Sequence, residues 1–459
     1  MTLYHTLRRV ALLLGGVLMA GPALWAQSEL SLQQCREMAL QHNRQLARAR
    51  QHEAYAAHSV RSYKALFFPE FKASGMGFYS TGKGALRVPG GNLPVFVPTP
   101  LGQFAPNGSV AYFPGLELDY KMNFIYTAGI SVTQPLYMGG KIRSAYRMAK
   151  LGSEVAQLGI HLSETEVVLA TEQAYAGAVK AQEMQIVAQH YVATLEELER
   201  NVQSAVKHGM KTNNDRLKVQ VKLNEARLMQ QKANNARRLA VMNLCHHIGR
   251  GLTDSISVSA EFPTVPSSLT DASLVARPEM AMLDKQVELN RQQLSMVRSE
   301  RLPQVALRAS YDYANGLKVA GSKFFDSGSF SAMLNVSIPL FHFGERKHKV
   351  AAARAKLEES LTEQQDKQEL MMLELTQAAL NVSEARTACE LAETALTQAE
   401  ENRRLSAHQF AQGMETLSDH LEAQLLWQQA WQAKVEAHFN LYLQYVAYRK
   451  ANGTLCADR

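Results

Sequence analysis

Beyond its first 26 residues the chain has no apolar run approaching the ~20 residues that a membrane-spanning helix needs. It is also poor in cysteine. Cys35, Cys245, Cys389 and Cys456 are too few to staple a chain of 459 residues as a disulfide scaffold. Cys35 stands too far past the leading apolar run to serve as a lipid-attachment cysteine, and the sequence leaves open whether Cys245 and Cys456 pair. The net charge of +7 is mild, and basic residues are interspersed with acidic ones. Such mixing is that of solvated helix faces and argues against a nucleic-acid partner. No Ser/His/Asp set, HExxH or paired-carboxylate constellation stands out, so no enzyme, cofactor or resident metal is expected. Gly77-Phe78-Tyr79-Ser80-Thr81-Gly82-Lys83 nearly copies a phosphate-binding loop. It fails at Gly84, where Ser or Thr should hold magnesium, and no helix follows it. In Cys245-His246-His247 the adjacent histidines point apart on a helix, so a plain helix end is the better reading.

The exception to the missing apolar run lies at the start. Arg8-Arg9 precede apolar Val10 to Ala20, and small residues follow at Gly21, Ala23 and Ala26. A basic start, a short apolar core and a small-residue site form a secretory signal. Cleavage after Ala26 is expected, with Leu24 an imperfect residue two positions before it. The mature protein is therefore exported.

The chain also contains itself twice. Gln134-Pro135-Leu136-Tyr137 with Gly140 returns 204 residues later as Ile338-Pro339-Leu340-Phe341 with Gly344. The same offset carries Gly209-Met210 to Gly413-Met414, Thr212 to Thr416, Asp215 to Asp419, Leu217 to Leu421 and Gly249 to Gly453. Upstream, Asn43-Arg44-Gln45-Leu46 aligns with Arg277-Pro278-Glu279-Met280, and Pro69 with Pro303. Repeated units usually cannot bury their apolar faces alone. The expected divisions are a signal over 1–26, a first repeat over 27–249, a linker over 250–273, a second repeat over 274–453 and a tail over 454–459.

Each repeat reads as helix, strand, strand, very long helix, helix. Glu345 to Ala411 holds neither Gly nor Pro over 67 residues, and Lys141 to Lys207 has no Pro. A helix of that length would measure roughly 100 Å. Val167, Ala170, Ala174, Ala178, Ala181, Met184, Ala188, Tyr191, Leu195, Leu198 and Val202 step by 3 or 4, which is a coiled-coil seam. After breaks at Gly209 and Gly413, helices over Asn213–Ile248 and Leu417–Ala451 are expected to fold back beside the long ones.

The strands alternate. Phe330, Ala332, Leu334, Val336 and Ile338 make one wholly apolar phase, and the other phase is mostly polar. Tyr126, Ala128, Ile130 and Val132 repeat the pattern, as do Val305, Leu307, Ala309, Tyr311 and Tyr313. The strand from Phe71 to Tyr79 is weaker. Alternation over about ten residues in an exported chain is the pattern of a transmembrane barrel, with a soluble half-buried sheet as the alternative. Ser80–Phe124 and Ala314–Ser329 read as exposed loops rich in turn residues. Four strands cannot close in lipid, so several chains must pool them. Two chains would give a filled eight-stranded barrel, whereas three would leave a lumen.

These residues resemble the TolC-like outer-membrane efflux proteins. The resemblance rests on Arg277-Pro278-Glu279-Met280 followed by Leu302-Pro303-Gln304, and on the Pro-Leu-aromatic-x-x-Gly corners at Pro135 and Pro339. It rests also on the Gly-Met-x-Thr-x-x-Asp-x-Leu turns at Gly209 and Gly413. It covers nearly the whole mature chain and implies an α+β membrane fold. Three chains would form a 12-stranded β-barrel in outer-membrane lipid, continued by a periplasmic α-helical coiled-coil barrel. It further implies a passive exit duct for small molecules, docked to a periplasmic adaptor and an inner-membrane transporter. A type I protein-secretion duct is the alternative, and a soluble periplasmic coiled-coil scaffold the rival from another class. By resemblance, Asp419 and Glu422 match the acidic ring of the closed duct, with Asp215 the first-repeat equivalent. An ordinary acidic helix start is the plainer alternative. Where the family carries a basic residue after the second turn, this chain has Glu415, while Lys211 holds the equivalent first-repeat position. A Lys211–Glu415 contact would be a swapped lock. Phe410 stands where the family is often aromatic, or packs the seam.

Overall fold

The computed structural model describes residues 29–98, 100, 102–254, 256–259, 261–269, 277–319, 322–323 and 326–456. The expected signal over 1–26 lies outside them, as do parts of the linker and tail. The chain divides into two compact units. One draws on 1–55, 154–285 and 362–459, and the other on 56–153 and 286–361.

The first unit is helical apart from one short parallel strand pair, β1 (Glu29–Leu30) with β7 (Ser257–Val258). It takes in α1 (Leu32–His42) and most of α2 (Arg44–Ala65), α3 (Lys141–Lys207), α4 (Asn213–His247), α6 (Glu345–Ala411) and α7 (Leu417–Ala451). α3 and α6 are each 67 residues long, and α4 and α7 are each 35, so the internal repeat is carried into helix lengths. The α3 seam is buried at Val167, Ala174, Ala178, Ala188, Tyr191, Leu195, Leu198 and Val202. A second α3 row, Val168, Tyr175, Ala176, Val179, Val187 and Val192, is buried as well. The core around Ala174, Ala178 and Val179 takes in Cys35, Leu244, Cys245 and Ile248. Glu172, fully buried, pairs with Arg36 and accepts a 2.8 Å bond from the Tyr442 hydroxyl. Burial beside that carboxylate raises the Tyr442 pKa. The four cysteines form no disulfide with one another: Cys245 Sγ faces the Asp254 carbonyl at 3.7 Å, and Cys456 lies beside the Thr165 hydroxyl.

α6 differs from α3. Leu370, Leu373, Leu380, Leu391 and Leu405 are all largely exposed in the single chain. They fall on two positions of a seven-residue repeat, an apolar row interrupted by Gln377, Glu384, Thr387, Thr394, Gln398 and Glu401. Rows of this kind mark surfaces that a neighbour covers.

The second unit holds most of α5 (Pro278–Ser299) with the sheet. Four long strands, β2 (Glu70–Tyr79), β6 (Leu116–Tyr137), β8 (Gln304–Val319) and β10 (Asp326–Ser337), pair antiparallel in the order β10-β8-β6-β2. Their register stacks matching phases across the sheet. Phe330, Tyr311, Ile130 and Ala73 form one row, and Ala332, Ala309, Val132 and Phe71 the next. The opposite face carries the row Ser331, Ser310, Ser131 and Lys72, with Ser310 and Ser331 hydroxyls 2.9 Å apart. The apolar face is bare: Phe330 is 72% exposed, Ile130 61% and Phe71 72%. A sheet with one bare apolar face and two open edges is one that lipid and further strands complete.

The expected loop over Ser80–Phe124 needs correcting. It contains β3 (Lys83–Val88), β4 (Gly91–Pro98), β5 (Phe104–Phe113) and the first part of β6. β3 pairs with β6, and β4 with β5. The Pro and Gly residues punctuate the hairpins: Pro89-Gly90 separates β3 from β4, and Pro114-Gly115, with Gly115 at φ 76°, separates β5 from β6. Between them Val95-Phe96-Val97 and Val110-Ala111-Tyr112 supply strand-forming residues. Ala314–Ser329 is likewise mostly strand, since β8 runs to Val319, β9 is Ser322–Lys323 and β10 begins at Asp326. Among the described residues no helix is long and apolar enough to cross a membrane.

Leu334 pairs with Leu307 on the bare face, and Asn335 points to the opposite side. Leu334→Arg is expected to impair insertion into outer-membrane vesicles by about 2–4 kcal/mol if its strand position is near midplane. Asn335→Arg should insert like the parent. Equal insertion of the two variants, measured by protease protection and heat-modifiable mobility, would contradict this assignment of faces.

Candidate functional site at the paired helix turns

The turns joining α3 to α4 and α6 to α7 share one construction. Gly209 and Gly413 take φ of 73° and 74°, a conformation that costs most residues strain. At the first, the Gly209 amide donates to the Val206 carbonyl at 3.0 Å and the Met210 amide to Ala205 at 2.9 Å. At the second, Gly413 donates to Phe410 at 3.1 Å and Met414 to Gln409 at 2.9 Å. Both are Schellman closures. Two residues later a threonine caps the next helix. Thr212 Oγ1 accepts from the Asp215 amide at 3.2 Å, and Thr416 Oγ1 accepts from the Asp419 amide at 3.3 Å. Each threonine hydroxyl donates back to its aspartate, at 2.8 and 2.7 Å. The Asp215 carboxyl is held below its ordinary range, chiefly by the Thr212 hydroxyl, with Lys218 and Lys211 adding to it.

The two turns are packed together. Val219 and Leu223 of α4 share a buried cluster with Leu417, flanked by Phe410 and Leu421. Asp419 and Glu422 are exposed and lie three apart on α7, hence on one face. Glu422 borders a groove lined by Leu217, Val221, Lys222, Leu421 and Leu425.

Lys211 and Glu415 do not meet within the chain. The Lys211 ammonium lies 4.8 Å from the Phe410 ring centroid, a cation–π contact. Glu415 instead accepts a 3.0 Å bond from the Ser406 hydroxyl. Phe410 serves both as seam packing and as the face under Lys211.

The sequence reading passed over His420. It is buried, stacked on Phe410 with centroids 4.7 Å apart and planes 7° from parallel. Its Nδ1 lies 2.9 Å from Ser406 Oγ, and its Nε2 3.4 Å from the Gln424 amide nitrogen. One set of protons satisfies all three contacts. Gln424 donates to Nε2, Nδ1–H donates to Ser406, and Ser406 donates to Glu415. That set requires a neutral imidazole, and burial pushes its pKa down, with Arg403 acting the same way and Glu415 opposing. A signal existed: Leu417, His420, Gln424 and Trp427 are the inward spacing of α7.

The described residues of this region hold caps, a stacked ring and charges, and the Ser406–His420 contact among them is buried away from solvent. The outer membrane efflux protein family matches the chain over residues 35–250 and 269–454. The chain belongs to that family. In its fold, strands from three chains make a twelve-stranded transmembrane β-barrel and the long helices make an α-helical barrel; its members reside in the Gram-negative outer membrane with a large periplasmic part. Among solved structures, the CmeC outer membrane channel of Campylobacter jejuni has TM-score 0.73 and 18% identity, covering 95% of this chain and 91% of its own. VceC of Vibrio cholerae has TM-score 0.70 and 15% identity, covering 92% and 96%. The alkaline protease secretion protein AprF of Pseudomonas aeruginosa is 26% identical over 253 residues, 53% of this chain. The chain spans about half the length of that curated relative, 52%.

The His420 pKa is lowered on folding, so neutral His420 supports the fold above its unfolded value near 6.5, and that support is lost as pH falls through the lower folded value. Amide exchange over residues 406–424 of this efflux-family chain is therefore expected to accelerate between pH 7.5 and about pH 5, after correction for intrinsic rates. His420→Gln should flatten the response. A wild-type profile independent of pH would contradict the neutral network.

Proposed function

We propose that three copies of this chain form a passive exit duct that carries small molecules through the outer membrane, energised by an inner-membrane transporter reached through a periplasmic adaptor. The observation that carries this reading is the four-stranded sheet with one bare apolar face and unpaired edges at β2 and β10. Such a sheet is stable in lipid only as part of a closed barrel. The exposed leucines of α6 support association from the helical side. The divisions at 27–249, 250–273 and 274–453 then correspond to two like halves joined by a connector.

Asp419 and Glu422 are the residues of the closure in this reading. Three chains would gather six carboxylates at the turns, with Gly209, Gly413 and Asp215 framing them and Lys211, Phe410 and Glu415 bracing the turn. Crowded carboxylates attract cations and repel one another's ionisation. In planar bilayers the channel is expected to conduct poorly, prefer cations and be blocked by multivalent cations from the periplasmic side. Asp419→Ala with Glu422→Ala should weaken that block and shift selectivity towards anions while trimers persist in light scattering. Unchanged block and selectivity would return both residues to plain helix-start acids.

A second reading comes from the name of AprF, a protease secretion protein. Deletion of the gene separates the two. Small-molecule efflux predicts lowered inhibitory concentrations of antibiotics or dyes with an unchanged set of secreted proteins. A protein-secretion duct predicts the reverse, and that result would overturn the small-molecule reading.

A further inference from the structure

Away from the turns, three side chains of different chemistry converge between α6 and α7. Cys389 and Glu393 are four apart on α6, which puts them on one face, and His438 reaches them from α7. Cys389 Sγ, a Glu393 carboxylate oxygen and a ring nitrogen of His438 all lie within 4.8 Å of one another. Glu393 Oε1 and His438 Nε2 are 2.9 Å apart. The sulfur is buried, while the Glu393 side chain is 51% exposed and that of His438 31%, so the cluster has a dry floor and a wet mouth. The His438 ring lies parallel to Phe262, with planes at 11° and centroids 6.3 Å apart.

We propose that Cys389, Glu393 and His438 bind a zinc-class divalent cation that clips α6 to α7. The donor set selects the class. A thiolate with an imidazole suits zinc and its neighbours, whereas magnesium and calcium take oxygen ligands. Bond lengths of about 2.0–2.3 Å to a tetrahedral ion put ligand atoms roughly 3.3–3.7 Å apart. Glu393 and His438 must open by less than about 1 Å and Cys389 close by a similar amount, which side-chain rotation supplies. Thiolate and carboxylate together neutralise the dication. Three protein ligands leave the fourth position to water at the exposed mouth, the arrangement of an exchangeable ion.

Binding has a proton balance. Burial and the neighbouring Glu393 and Glu390 raise the Cys389 pKa, with Lys434 opposing, so the free site holds a thiol. The ion replaces the thiol proton, which leaves to solvent, and His438 binds the ion through a ring nitrogen that carries no proton. No electron is transferred. Without the ion, the Glu393–His438 hydrogen bond links the two helices here.

The test uses the untagged full chain in detergent, stripped with EDTA and titrated with Co²⁺, then with Zn²⁺. The expected result is one Co²⁺ per chain with a near-ultraviolet thiolate-to-cobalt band and the visible bands of four-coordination. Zn²⁺ should displace the cobalt, and calorimetry in buffers of different ionisation enthalpy should show a proton released. Cys389→Ser should abolish the thiolate band. Glu393→Gln, conservative and at the exposed mouth, and His438→Gln should each weaken binding at least about tenfold, ~1.4 kcal/mol. Cys245→Ser and Cys456→Ser should leave the band intact. A thiolate band that survives Cys389→Ser, or cobalt binding that is unchanged in Glu393→Gln and His438→Gln, would overturn the site.

Discussion

The backbone polar groups at the edges of the four-stranded sheet are the constraint on which the rest depends. β10 and β2 each have one long-strand neighbour, leaving a row of amides and carbonyls on the other side. In water such an edge is tolerable, but against hydrocarbon it is not. Because the adjoining face carries Phe330, Ile130 and Phe71, the sheet cannot remain in water either. The two demands have one joint solution, a closed ring of strands in lipid. Four strands per chain then imply more than one chain. The exposed leucines on α6 support association from the helical side.

Duplication explains how one sequence meets it twice. The turns after α3 and α6 use the same glycine conformation, the same threonine cap and the same aspartate partner. Yet the halves have diverged where they face neighbours. α3 is buried along two rows, α6 along little more than one. Lys211 and Glu415, equivalent by position, differ in sign and in partner: a ring in one case, a hydroxyl in the other. Equivalent frames therefore carry inequivalent side chains.

Much of this was legible in the sequence, for identifiable reasons. The absence of Gly and Pro from 345–411 and the wholly apolar phase from Phe330 to Ile338 are single-element signals, and both elements stand as read. The hairpins within 80–124 were hidden because their Pro and Gly density reads as loop, although the same residues punctuate strands. The contacts of His420 with Ser406 and of Glu393 with His438 cross from α6 to α7. Their partners are 14 and 45 residues apart, and only the lateral registration of two helices brings them together. Periodicity names the face on which a residue sits, and it is silent about what waits opposite.

The leucines spaced along α6 have a thermodynamic consequence. Leu373, Leu380 and Leu391 are surface residues in one chain, and the proposed trimer would turn such residues inward. Part of the hydrophobic driving force is thereby postponed from folding to association. The chain's resistance to unfolding then becomes a function of its own concentration, as for any protomer whose native contacts are completed by its copies. Before those copies arrive the newly exported polypeptide is an aggregation hazard in the periplasm, and its survival is set by how fast it meets its own kind.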